Sequence, residues 1–212
     1  MSRHNGFSDR DDDNNNNNNV YRIVNADSAT ILNTIKASNY GDHNLVVYPC
    51  LGQFEEFYIE CCKDSILGRN EIFILLTYYQ QVSAVRKKMQ LAGIDAARYE
   101  NDGALIILDS ETVYQPTLEE NEKYSIINIL TSIMTRQVKV RDKKGITLFS
   151  DLGTFILNNR IADLLSHELS MPLRFDSPVR PFCFYHKEDF NVLQEEQRRK
   201  ICSHHLNSLI VS

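Results

Sequence analysis

No run of about 18 apolar residues occurs in this 212-residue chain, so no segment is suited to cross a bilayer as a helix, and no signal-peptide pattern opens it. Cys-x-x-Cys is also missing. The five cysteines, Cys50, Cys61, Cys62, Cys183 and Cys202, are therefore expected as reduced, mostly buried thiols of a cytoplasmic protein. Basic charge is scarce: 23 Lys and Arg face 28 Asp and Glu, for a formal net charge of −5. The longest basic run is only Arg141-Asp-Lys-Lys, which excludes an electrostatic nucleic-acid surface. Gly-x-Ser-x-Gly is absent, as is the glycine-rich loop ending in Gly-Lys-Ser/Thr that cradles phosphates, so neither a nucleophile elbow nor a nucleotide-hydrolysing loop is encoded.

What the chain does contain is organised around Asn70 to Gln81. Ile72 to Leu76 is five consecutive apolar residues, too short for a core helix and rich in branched side chains, hence a strand buried on both faces of a parallel sheet. Val82 to Ala92 follows with helical spacing of Val82, Val85 and Met89. Ligands of open α/β sheets bind at the carboxyl ends of strands, which directs attention to the turn Thr77, Tyr78, Tyr79, Gln80. That turn has neither glycine nor lysine.

Residues 1–19 carry Asp11-Asp-Asp followed by a run of six asparagines, too little apolar surface to offset ordering, and are expected as a disordered tail. Residues 20–212 are expected to form a single domain. A helix ending near Ala37 is predicted, capped by Asp27 or Ser28, with Ile31, Ile35 and Leu32 inward. Leu45 to Tyr48 is predicted as the first strand and Gly52 to Ile66 as a helix closed by Gly68. Ile94 to Tyr99 is predicted as a short strand, and Ala104 to Asp109 as a buried one, joined through the Asn101-Asp-Gly turn. Further on, the pattern predicts a helix over Glu119 to Gln137 and a strand over Ile146 to Asp151. A helix then runs to Leu169 with Leu152, Phe155, Ala162, Leu165 and Leu169 on one side. Val179 to Tyr185 (strand), Lys187 to His204 (helix) and Leu209 to Val211 (strand) complete an α/β domain with a mainly parallel sheet.

Two strands end in an acid, Asp109 and Asp151. Such an acid either holds magnesium beside a phosphate loop or caps the next helix or turn. Cys202, His204 and His205 are soft-metal ligand types, but adjacent residues do not both turn inward on a helix and no partner pair has zinc-finger spacing, so no metal is expected. His186 lies at a strand's carboxyl end, as a ligand-binding or a structural histidine. His43 has the same standing only if the sheet is read from its other edge. Cys183, inside an aromatic strand, is assigned to the core. Tyr78, Tyr79 and Tyr114 either line a recess for a small, largely apolar ligand, with Thr77 and Gln80 supplying hydrogen bonds, or cover the end of the sheet.

From about His43 onward the chain resembles the MEDS domain, the sensory domain named for methanogens, methylotrophs and the regulator DcmR. The resemblance is carried by His43-Asn-Leu-Val-Val-Tyr48 before Phe54-Glu-Glu-Phe, by Gly68-Arg-Asn-Glu-Ile-Phe-Ile-Leu, and by Val85 to Gly93. Phe182-Cys-Phe-Tyr185 with Phe190, and Ile201-Cys-Ser-His-His with Leu209-Ile, complete it. It implies a three-layer RecA/KaiC-like fold with helices on both faces of the sheet and an eroded phosphate loop. It further implies small-molecule sensing, without a cofactor, coupled to a histidine kinase or transcription regulator. The chain departs from the family in having no helix-turn-helix or kinase module, and Asp151-Leu-Gly153 where a Gly-Glu pair is usual. Three functions follow in order: a non-catalytic sensor, a protein-interaction adaptor without ligand, and a nucleotide-binding ATPase relic using Asp109 or Asp151. A homodimer through an edge strand at Leu209 to Val211 is also expected.

Overall fold

A computed structural model describes residues 21–114 and 142–212. The Asn-rich tail and the helix expected over Glu119 to Gln137 lie outside the described residues.

Seven strands form one sheet: β1 (Arg22–Ala26), β2 (Asn44–Tyr48), β3 (Ile72–Thr77), β4 (Leu105–Asp109), β5 (Ile146–Asp151), β6 (Val179–His186) and β7 (Asn207–Val211). Their order is β1-β7-β2-β6-β5-β3-β4 and every neighbouring pair is parallel. Parallel pairing requires each connection to cross over a face, and the helices divide accordingly. Four helices, α1 (Ser28–Ala37), α2 (Leu51–Lys63), α3 (Val82–Leu91) and α4 (Ala96–Asn101), pack on one face against Val46, Tyr48, Phe73, Leu75, Phe182 and Phe184. On the other face, α5 (Ser110–Tyr114), α6 (Gly153–Leu157), α7 (Ile161–Ser170), α8 (Lys187–Val192) and α9 (Glu195–Ser203) cover Leu45, Val47, Ile74, Leu76, Cys183 and Tyr185. The result is the three-layer α/β architecture expected from the strand types: β2, β3 and β5 are buried at every position, as two-sided strands must be.

Phe149 is the centre of the first face, with ring centroids 5.1, 5.2 and 4.5 Å from Phe73, Phe182 and Phe184. At the amino end of the strands a buried ion pair ties three elements together. Arg180 Nη2 donates to Glu71 Oε2 at 3.0 Å and to Thr147 Oγ1 at 2.7 Å, while Tyr40 Oη donates to Glu71 Oε1 at 2.7 Å. Tyr40's own phenol is pushed up to about 12 by burial and by that carboxylate.

Several elements differ from the sequence reading. The first strand is β1 rather than β2; its residues are largely exposed, so it lacks the apolar run by which strands are recognised. Ile94 to Tyr99 is not a strand: Asp95 accepts from Arg98 N at 3.1 Å and caps α4. The helix expected from Leu152 to Leu169 is broken at Asn159, whose φ of 54° ends the first piece. That break rotates the second piece, so Leu164 and Glu168 are buried while Ala162 and Leu169 are exposed. The Lys187 to His204 segment likewise divides into α8 and α9, although Phe190, Leu193 and Ile201 are buried as expected. After α2 the chain makes a wide π turn, Asp64–Gly68, and the left-handed residue is Asn70 (φ 58°) instead of Gly68. β7 lies between β1 and β2, so the expected pairing of chains through an edge at Leu209 to Val211 does not fit; among the described residues the edges are β1 and β4.

Candidate functional site

Binding crevices of open α/β sheets open where neighbouring strands send their connections to opposite faces. Here that occurs three times at the carboxyl ends, between β2 and β6, between β3 and β5 and between β3 and β4, and the first two hold the aromatic and acidic residues of interest. Tyr48 and His186 mark the first, Thr77 and Asp151 the second.

At the β3–β5 crevice the sequence-predicted residues hold one another. Asp151, wholly buried, accepts from Tyr78 N at 3.1 Å and Tyr79 N at 3.4 Å through Oδ2, and from Gly153 N at 3.1 Å through Oδ1. Burial pushes its carboxyl up to about 7, against the opposing effect of the Gly153 and Tyr78 amides. One carboxylate thus ties together the turns after β3 and β5, while the N-cap of α6 is Leu152, which makes no side-chain cap bond. Thr77 Oγ1 donates to Gln80 O at 3.0 Å. Gln80 accepts from Tyr58 Oη at 3.2 Å through Oε1 and donates through Nε2 to Glu55, which also pairs with Lys88. Tyr78 and Tyr79 meet edge to face at 5.4 Å.

The β2–β6 crevice is different. Tyr48 and Tyr79 approach His186 with ring centroids 5.4 and 5.9 Å away. His186 is half-buried, and Asp189 follows it by three residues in α8. Among the described residues, Tyr48 Oη, Tyr79 Oη and Asp189 Oδ2 are buried and have no hydrogen-bond partner. Burial raises Asp189's carboxyl above its ordinary value, and raises the Tyr48 phenol with help from Asp151 and Asp189. Unsatisfied buried polar atoms are rare in folded proteins because each costs about 1–3 kcal/mol, so two such hydroxyls on rings flanking one half-buried histidine, with a third such atom on the helix it opens, leave hydrogen-bonding capacity unused at this crevice. Tyr48 and Asp189 were not singled out from sequence. In the sequence Tyr48 is simply the end of the first predicted strand, and Asp189 lies within the helix predicted over Lys187 to His204.

Two of the predicted residues lie apart from this group. Asp109 accepts from Thr112 N at 3.0 Å and caps α5. Tyr114 is buried with its ring against Phe155 and His167, 4.9 and 5.0 Å away, and does not join Tyr78 and Tyr79.

Neither crevice has a phosphate cradle. Between β2 and α2 stand only Pro49 and Cys50, and the helix begins Leu51-Gly-Gln without a lysine. Phosphate loops need several glycine-permitted amides and a cation there.

A second polar cluster occupies the opposite face, nearer the amino ends of the strands. It joins His43, just before β2, Glu168 of α7, Cys183 of β6 and His205, between α9 and β7; all four are buried. The sequence presents His43 and Cys183 singly and His205 only beside Cys202 and His204, and it carries no signal for Glu168. The outcome for the Cys202-Ser-His-His run follows its premise: His205 turns inward, while His204 Nε2 binds Met171 O at 2.8 Å.

No family model matches the chain, and no curated protein matches it. Among solved structures, a KaiC-like protein from the hyperthermophilic archaeon Pyrococcus horikoshii OT3 is similar over 76% of this chain and 70% of its own, with 16% identity and a TM-score of 0.50. At that identity the likeness concerns the fold, which is RecA/KaiC-like. No helix among the described residues is long and apolar enough to span a membrane.

Proposed function

We propose that this chain is a non-catalytic sensory module: a RecA/KaiC-like domain that binds a small, largely apolar ligand at the β2–β6 crevice and relays its presence to a partner regulator or kinase. The observation that carries this reading is the pair of unpartnered buried hydroxyls, Tyr48 Oη and Tyr79 Oη, whose rings flank His186, with the unpartnered Asp189 Oδ2 on the helix that His186 opens. Aromatic walls with a few fixed polar tips suit a ligand with an apolar body and one or two hydrogen-bonding groups. The MEDS-like residue pattern agrees with it, since that family is associated with sensing hydrocarbon derivatives. Phosphoryl transfer is disfavoured because Asp151, the acid best placed to hold magnesium, has both oxygens committed to backbone amides and is pushed up to about 7 by burial. Ligand occupancy would act by shifting a pre-existing equilibrium of the α8 and β3–α3 surfaces that border the crevice.

The test is a thermal-melting screen of the purified chain against Mg-ATP, Mg-GTP and a panel of small apolar metabolites bearing one hydroxyl, amine or carbonyl. A ligand at a hundred times its dissociation constant adds about 2.7 kcal/mol, a rise of several degrees. The expected response is to an apolar metabolite, abolished in the Tyr79→Ala variant. A response to nucleotide alone would overturn the reading in favour of an ATPase relic, and silence throughout would favour an adaptor.

A further inference from the structure

The cluster of His43, Glu168, Cys183 and His205 joins residues far apart in sequence whose ligand atoms all lie within 4.8 Å of one another. His43 Nε2 is 3.4 Å from Cys183 Sγ, and His205 Nε2 is 3.3 Å from Glu168 Oε2. A tetrahedral zinc ion with bonds of about 2.0–2.3 Å holds its ligand atoms about 3.3–3.8 Å apart, so both close pairs already have the spacing of two ligands on one ion.

The ligands are also held from behind. His205 Nδ1 lies 2.8 Å from the Ile201 carbonyl; donation of its proton there fixes the tautomer and leaves Nε2 with a free lone pair aimed into the cluster. Glu168 Oε1 accepts from Tyr185 Oη, which orients the carboxylate and leaves Oε2 facing the histidines. Yet Glu168 Oε2 and His205 Nε2, though close, lack the alignment of a hydrogen bond, and both are buried without another partner among the described residues.

Charge gives the second argument. A lone carboxylate at 0% exposure is costly unless compensated. A divalent ion bound by one thiolate, one carboxylate and two neutral imidazoles has zero net charge.

We infer that His43, Glu168, Cys183 and His205 form a closed, structural zinc-class site, tetrahedral and built from one sulfur, two nitrogens and one oxygen. Binding forms the Zn–S bond as the Cys183 thiol releases its proton to solvent; no electrons are transferred. With four protein ligands and no exposure there is no open position, so the ion staples β2, β6, α7 and the α9–β7 loop instead of acting on substrate. The site is on the opposite face from α2 and shares no residue with the β2–β6 crevice, so it stands independently of the proposed ligand.

Metal content decides the matter. The full chain, produced without a polyhistidine tag and dialysed against zinc and then metal-free buffer, is expected to retain one equivalent of zinc by mass spectrometry. Cobalt loading is expected to give tetrahedral visible bands with a near-ultraviolet thiolate charge-transfer band. Cys50→Ser, which removes an exposed thiol, should keep both signals. Cys183→Ser should lose the charge-transfer band, and Tyr185→Phe should weaken zinc binding about 10- to 100-fold. Less than a tenth of an equivalent in the folded wild-type chain, or a cobalt spectrum without thiolate character, would overturn the inference. The same holds if Cys183→Ser retains a full equivalent with the wild-type cobalt spectrum. The wild-type measurements decide even if the variants fail to fold.

Discussion

The ring of Tyr79 lies directly over Gly153: a Cβ added at residue 153 would meet Tyr79 Cε2 at 2.7 Å and Oη at 2.9 Å. The turn after β3 and the first turn of α6 are therefore fitted to each other, and Gly153 is required by the close approach rather than by its backbone dihedrals. Gly153→Ala is expected to cost about 1–3 kcal/mol by overpacking. Adding Tyr79→Ala should recover much of that loss, a coupling readable in a double-mutant cycle of urea denaturation. Strictly additive losses would show that the two residues do not press on each other.

Asp151 gives the protein a specific pH dependence. Its carboxyl ordinarily titrates near 3.8 and is raised to about 7 in the folded chain. A raised group binds its proton more tightly when folded, so its contribution is complete below about pH 4 and is lost as pH rises through about 7. The expected outcome is a decline in unfolding free energy across that window that is absent from Asp151→Asn. Urea titrations at half-unit intervals, with the carboxyl carbon followed by NMR, would measure it; a carboxyl titrating near 4 would refute it.

Arg180 and Glu71 form a buried pair at 3.0 Å, with both side chains almost fully enclosed. Removing one partner strands the other charge, so Arg180→Ala and Glu71→Ala should each cost about 3–5 kcal/mol. Replacing both at once with Arg180→Met and Glu71→Leu should cost clearly less than the sum. Chemical denaturation of the three variants checks this, and additive losses would argue that the pair is not a unit.

Tyr48 separates stability from ligand response. Its hydroxyl is buried without a partner among the described residues, so Tyr48→Phe should leave the ligand-free protein unchanged or more stable by about 1–2 kcal/mol. The same change should weaken whatever metabolite raises the melting temperature of the wild-type chain. Marked destabilisation without ligand would mean that the hydroxyl is already satisfied in solution.

Strand types, the α/β class and most of the core follow from the order of residues alone. Ile72 to Leu76 could bury so continuous an apolar run only inside a parallel sheet, and local spacing put Val85, Met89, Ile31 and Ile35 inward. It also located Tyr79, Asp151 and His186, because residues at strand ends can be counted along the chain. The strand order came from packing between distant segments, and with it the meeting of Tyr48 and Tyr79 at His186 beside the β2–β6 crevice. Tyr48 and His186 are 138 positions apart yet face each other across one register pair. His43 and Cys183 meet across 140 positions, and Glu168 reaches them only because the break at Asn159 rotates α7. Periodicity reports which side of an element is apolar. It carries no information about which elements become neighbours, since that is set by crossovers and packing between segments that share no local pattern.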